Sequence, residues 1–179
     1  MYFLNQHSEY VFLETFGEAG YDLVAPHNVT IIAAEIGDFP QADEHTTEAG
    51  AFVSMVNTKT FRIAEEGCDQ LALVIYPENV EKSLVGTPDF LMEKMRLSVL
   101  VHELEHVKQA NSGRLVTVGF GKYLWEGAEY NLTDLKGYAD LPWEVEAYHN
   151  QFMYLFNGNE AMANEAYAAV KTACDAAYN

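Results

Sequence analysis

Leu97-Ser98-Val99-Leu100-Val101-His102-Glu103-Leu104-Glu105-His106-Val107-Lys108-Gln109 is the stretch on which the reading of this chain turns. Leu97, Leu100, Val101, Leu104 and Val107 recur at helical spacing and form one apolar stripe. His102, His106 and Gln109 fall together, well round the helix from that stripe. Two histidines four residues apart are separated by about 40° around the axis and one turn along it, so both imidazoles can reach one ion. Glu103, directly after the first histidine, lies beside such an ion without ligating it. From there its carboxylate can take a proton from water whose pKa the metal lowers. The spacing therefore points to zinc on His102 and His106, with Glu103 as general base, on a helix that buries one face in a core and turns another to a cleft.

The flanks of the stretch support a helix. Thr87-Pro88-Asp89 reads as a start, with Thr87 as N-cap, Pro88 at the first helical position and an acid in the first turn. Asn111-Ser112-Gly113 reads as a stop, so the helix is expected over 88–110. Upstream, Leu71–Tyr76 is a continuous apolar run ended by Pro77, as in a buried strand. Ala51–Val56 and Phe61–Ala64 read as two strands across the turn at 57–60. Val29–Ala34, rich in β-branched residues, is a further strand, and 37–50 is loop-like. Residues 1–25 fit either a strand or one short helix, around Tyr10–Leu13, Gly17 and Gly20. A sheet of three to four strands thus precedes the histidine-bearing helix.

Downstream, 113–140 reads as irregular, with room for one strand or a short helix. Asp140-Leu141-Pro142 then opens a second helix with a cap and an early proline, expected over 143–156 and stopped at Asn157-Gly158. A third, alanine-rich helix is expected over 159–177. With no repeat, low-complexity tract or linker, residues 1–179 read as a single α+β domain. It is expected to be a small mixed or antiparallel sheet packed on the histidine-bearing helix, followed by C-terminal helices.

Composition narrows the partners. Of 179 residues 49% are hydrophobic, enough for a folded core. With 27 acidic against 10 basic residues the net charge is −17, which argues against nucleic acid and anionic membranes as partners. The excess fits solubility, or a partner of basic character. Cys68 and Cys174 stand in no metal-binding spacing; the expectation is two buried free thiols of a reducing compartment, with a disulfide between them as the alternative. The start of the chain lacks the pattern of a signal peptide, and no apolar run nears the ~20 residues of a membrane span. A cytoplasmic location is the expectation.

Zinc needs at least a third protein ligand. Gln109 and Ser112 stand where the metzincin pattern carries glycine and a third histidine, so that branch does not apply. The second helix offers Glu144 and Glu146, which are two apart and point to nearly opposite sides. Val145, Tyr148, Phe152 and Leu155 mark its expected buried stripe. Glu144 falls on the flank of that stripe with Ala147, Tyr148 and Gln151, and Glu146 falls on the polar side with Asn150. A carboxylate on a buried face is costly unless paired or bound to metal, which favours Glu144 over Glu146. The competing role for Glu144 is that of a first-turn acid on the helix dipole.

The helix His102-Glu103-Leu104-Glu105-His106-Val107-Lys108-Gln109 and the later Pro142-Trp143-Glu144-Val145-Glu146-Ala147-Tyr148 resemble the gluzincin-type zinc metallopeptidases. In these a Glu-x-x-Ala segment on a following helix supplies the third ligand, and Glu144 to Ala147 match it. Tyr148 stands where the usual aspartate follows the alanine. The compact form is similar to small metallopeptidase-like proteins of phages and bacteria, with the likeness running over about residues 88–156. It implies a zincin-like fold, zinc on His102, His106 and Glu144, Glu103 as general base and acid, and a peptide or protein substrate.

Around that set, Tyr138, Tyr148 and His149 are candidates for stabilising an oxyanion, each with packing or surface exposure as the plainer role. Gln109 is placed to orient a ligand, and Glu105 is expected to face solvent. An edge strand within 51–76 can align an extended substrate. Two other functions fit the same residues: a catalytically silent zinc-binding structural or accessory protein of a phage or bacterium, and a metal-free interaction protein using its acidic surface.

Overall fold

The computed structural model describes residues 1–39, 50–60, 62–64, 68–119, 121–132 and 137–177. Most of the loop expected over 37–50, namely 40–49, and the expected strand's first residue, Phe61, lie outside the described residues.

The chain opens with strand β1 (Tyr2–Phe3), helix α1 (Gln6–Val24) and strand β2 (Thr30–Ala33). β1 and β2 pair in parallel, with α1 as the crossover that parallel pairing requires. The run around Tyr10–Leu13, Gly17 and Gly20 is thus helical, in a helix kinked at Gly17, and the strand of this segment is the short β1 before it. Asn5 caps α1, its side chain accepting from Ser8 N–H at 2.8 Å. At Gly17 φ is +64°, and this local break explains why its helical pattern is hard to read.

Strands β3 (Ala51–Asn57), β4 (Arg62–Ile63) and β5 (Gln70–Ile75) complete a five-stranded mixed sheet in the order β1-β2-β5-β3-β4. β2 and β5 are parallel, while β3 runs antiparallel to both β5 and β4. β5 lies at the centre and its residues alternate between two apolar layers. Leu73 and Ile75 join Phe12, Phe16, Leu97, Leu100, Leu104 and Val107, placing α1 and the histidine-bearing helix on one face. Ala72 and Val74 join Ile32, Val56, Phe39 and Tyr76 on the other.

Helix α2 (Pro77–Ser83) leads to α3 (Asp89–Asn111), the histidine-bearing helix. Its start differs from expectation: Pro88 occupies the N-cap position and no side chain caps the end. Its C-terminus closes with Gly113 at φ +74°, Gly113 N–H on Ala110 O (3.0 Å) and Arg114 N–H on Gln109 O (3.0 Å), the two bonds of a Schellman motif.

Residues expected to be irregular form a second, three-stranded antiparallel sheet: β6 (Leu115–Gly119), β7 (Lys122–Trp125) and β8 (Ala128–Asn131). Glu126 and Gly127, both at positive φ, make the two-residue turn between β7 and β8. A 3₁₀ turn (Tyr138–Asp140) precedes α4 (Pro142–Leu155), and α5 (Glu160–Ala177) ends the described chain. Contrary to the expectation from sequence, Asp140 does not cap α4; its carboxylate pairs with Lys171 on α5. The described chain is therefore a mixed α+β structure with two sheets. Among its residues no helix is long and apolar enough to cross a membrane. Cys68 and Cys174 are free and half-buried.

Candidate metal centre

α3 and α4 pack against one another, and the site lies between them. His102, Glu103 and His106 come from α3. Glu144 comes from the first turn of α4, whose start is fixed locally: Leu141 is extended, as the residue before a proline prefers, and Pro142 opens the helix. Apolar packing holds both helices, with Leu100, Leu104 and Val107 below the histidines in the sheet-facing core and Trp143, Ala147 and Phe152 buried on α4.

His102, His106 and Glu144 converge. The two Nε2 atoms are 3.2 Å apart, His102 Nε2 is 3.3 Å from Glu144 Oε2, and His106 Nε2 is 3.4 Å from Glu144 Oε1. A four-coordinate ion with ligand bonds of ~2.0–2.1 Å holds neighbouring donors about 3.3 Å apart. Among the described residues this is the one group of three or more such side chains able to hold a metal ion.

The outer nitrogens explain how the rings are aimed. His106 Nδ1 meets Gln109 Oε1 at 2.9 Å, and His102 Nδ1 meets Gln151 Oε1 at 3.1 Å. An amide oxygen only accepts, so each ring carries a proton on Nδ1 and aims its Nε2 inward, where the neutral ring presents a lone pair. Glu144 is 2% exposed and its Oε2 has no hydrogen-bond donor. With both rings neutral, three acceptor atoms so close repel one another unless a metal ion or a proton lies among them, which is the chemistry of a metal-ligand set.

The protein's own electrostatics register the same demand for positive charge. Burial disfavours a charged His106, yet the Glu144 carboxylate beside it outweighs burial and pushes its pKa up to about 9. Burial alone would raise the Glu144 pKa, but the His106 and His102 imidazoles hold it well below the usual carboxylate range. Glu103 is 7% exposed and its Oε2 has no hydrogen-bond partner. Burial raises its pKa, against the opposing pull of both imidazoles.

Other expected residues divide. Tyr138 O–H donates to Glu144 Oε1 at 2.5 Å, so it is tied to the candidate ligand; burial, then the Glu144 charge, pushes its pKa well up. Tyr148 lays its ring edge-on to His102, centroids 4.6 Å apart. His149 is exposed and lies about 140° round α4 from Glu144. Glu105 does not face solvent as expected: its side chain is 12% exposed and pairs with Lys108 at 2.9 Å. The connection after α1 covers this part of α3, where Asn111 donates to Asn28 O. Val145, expected in the buried stripe, is 38% exposed, because the face turned to α3 is the one carrying Glu144, Ala147 and Phe152.

Glu146 lies outside the trio. Arg114 grips it with a two-pronged contact, Nη1 to Oε2 at 3.0 Å and Nη2 to Oε1 at 2.7 Å, and this guanidinium holds its pKa down. Gln151 and Arg114 were not legible as parts of the site. Gln151 is seven residues after Glu144, two turns along the same face of α4, and that spacing is the signal that finds it. Arg114 carries no such signal. Compared with family models, curated proteins and solved structures, the chain shows no match.

Proposed function

We propose that this chain is a zinc-dependent metallopeptidase of zincin-like arrangement, hydrolysing peptide bonds in a peptide or protein substrate. The observation that carries this is the convergence of His102, His106 and Glu144 at metal-ligand spacing beside Glu103, a buried carboxylate with an unpartnered oxygen. Zinc is the assignment because two imidazoles and one carboxylate are the donor set of its hydrolytic sites. When bound, zinc supplies Lewis acidity toward a scissile carbonyl and lowers the pKa of water. Glu103 accepts the proton of the attacking water at its free oxygen and returns it to the leaving amine. Gln109 and Gln151 keep the imidazoles in one tautomer throughout. The fold supports the reading too, with a mixed sheet under the histidine-bearing helix and a later helix bringing the third ligand.

A second reading, a zinc-binding structural or accessory protein without activity, draws on burial: both histidine side chains are only 11% exposed. Digestion of a broad peptide library by the zinc-loaded chain and by Glu103→Gln separates the two. Cleavage by the wild type, lost in the variant with zinc retained, is the outcome expected for a peptidase. No cleavage by either supports the silent protein, and equal cleavage by both removes Glu103 from the chemistry.

A further inference from the structure

We infer that Arg114 and Glu146 are positioning residues for the metal centre, holding Gln109 so that His106 presents its Nε2 lone pair. The inference rests on the proposal that His102, His106 and Glu144 bind zinc, and it assigns a role to the carboxylate of α4 that is not a ligand.

Gln109 is 1% exposed, and its amide has one orientation that satisfies its surroundings. Its Nε2 donates to Trp143 O at 3.0 Å and to Glu146 Oε2 at 3.2 Å. A backbone carbonyl and an ion-paired carboxylate can only accept, so both amide hydrogens are committed and Oε1 is left for His106 Nδ1. An amide turned the other way would face oxygen to oxygen twice and leave Nδ1 without an acceptor. Turned as it is, it keeps the His106 proton on Nδ1 and the lone pair inward.

Glu146 in turn is set by Arg114. The guanidinium forks onto both its oxygens, and Arg114 Nη1 and Gln109 Nε2 share Oε2. Arg114 is itself held on three sides. Its Nε donates to Glu126 Oε1 at 2.9 Å, and its guanidinium lies over Trp125 at 4.5 Å. Its backbone N–H closes the Schellman motif on Gln109 O. Gln109 is therefore tied to Arg114 through both its backbone and its side chain. The chain Arg114–Glu146–Gln109–His106 links the second sheet to the metal centre, a link unneeded for a purely surface ion pair.

The test is a competitive zinc titration of the full chain, read beside the thermal midpoint of each chelator-treated variant. Glu146→Ala and Arg114→Ala are expected to weaken zinc binding by about 10–100-fold, the range for loss of a group that orients a ligand. Glu146→Gln, which keeps an acceptor at the Oε2 position but sets an amide N–H against Arg114 Nη2, is expected to lose less affinity than Glu146→Ala does. Glu126→Ala, which removes only the outermost partner, is expected to bind as wild type does. The weakening should exceed anything the chelator-treated midpoints explain. Arg114 is half-exposed, so Arg114→Ala keeps the test open if Glu146→Ala fails to fold. Unchanged affinity in Glu146→Ala or Arg114→Ala overturns the inference, as does Glu146→Gln falling as far as Glu146→Ala. Absence of zinc binding by the wild type itself, matched by His102→Ala, instead overturns the metal-site proposal beneath it.

Discussion

Removing metal from the site should make the stability of this protein fall as pH rises from neutrality. In the protein alone the His106 pKa is pushed from its ordinary 6.5 up to about 9, burial opposing the shift and the Glu144 carboxylate driving it. The raised value means that the folded state holds a proton the unfolded chain releases near 6.5. The stabilisation is fully present below pH 6.5 and is lost as pH climbs through 9. At 1.36 kcal/mol per pKa unit the shift is worth about 3 kcal/mol. For a chain of this size that corresponds to a midpoint lower by roughly 6–12 °C. Glu103, whose pKa burial raises, contributes with the same sign, since an ionised Glu103 is costlier folded than unfolded. The assay is calorimetry of chelator-treated protein at pH 6, 7.5 and 9. Glu144→Gln, lacking the charge that attracts the proton, should flatten the profile. Saturating zinc should reverse its direction, because ligation requires neutral imidazoles and competes with protons. A chelator-treated midpoint that is flat or rising between pH 6.5 and 9 would refute the electrostatic coupling described here.

Further outcomes follow from the same contacts. Gly113→Ala places a side chain at φ +74° in the Schellman motif and should cost about 1 kcal/mol with zinc stoichiometry unchanged, read by chemical denaturation. Tyr138→Phe removes the donor to buried Glu144 and should destabilise the chelator-treated protein by about 1–3 kcal/mol, measured the same way. Gln151→Leu takes the acceptor from His102 Nδ1 and should weaken zinc binding about 10–100-fold in a competition titration. Leu100→Ala, at 1% exposure between α1, α3 and the sheet, should cost about 2–5 kcal/mol, with an unchanged denaturant slope.

The parts of the fold legible in the amino-acid order are those where one signal acts alone. β5 is a short apolar run stopped by Pro77, and α4 starts at a proline; both lie where their residues place them, within a residue or two. α3 shows its stripe plainly, although Pro88 takes the cap position expected of Thr87. Where signals conflict the reading fails. Gly17 breaks the α1 pattern within its helix, and β1 is two residues long, set by pairing with β2 and not by its own composition. The hairpin of β7 and β8 turns on Glu126-Gly127, where a glutamate takes the left-handed conformation that asparagine or aspartate would have announced. In the site, the spacing of His102, Glu103 and His106 and the placement of Glu144 could be read, since both follow from helical geometry. Val145 misled as a marker of the buried face, because the side of α4 that packs is chosen by α3 and not by apolarity alone. The tie from Arg114 to Glu146 joins the turn after α3 to α4 across 32 positions, and no local pattern encodes it.

The central claim is that His102, His106 and Glu144 hold one zinc ion. Zinc quantification by elemental analysis of the purified chain, run beside His102→Ala, tests it most directly. About one equivalent in the wild type, lost in His102→Ala, is the predicted result. A wild-type chain that retains no zinc after exposure to it, or a His102→Ala variant that binds as much as wild type, would contradict it.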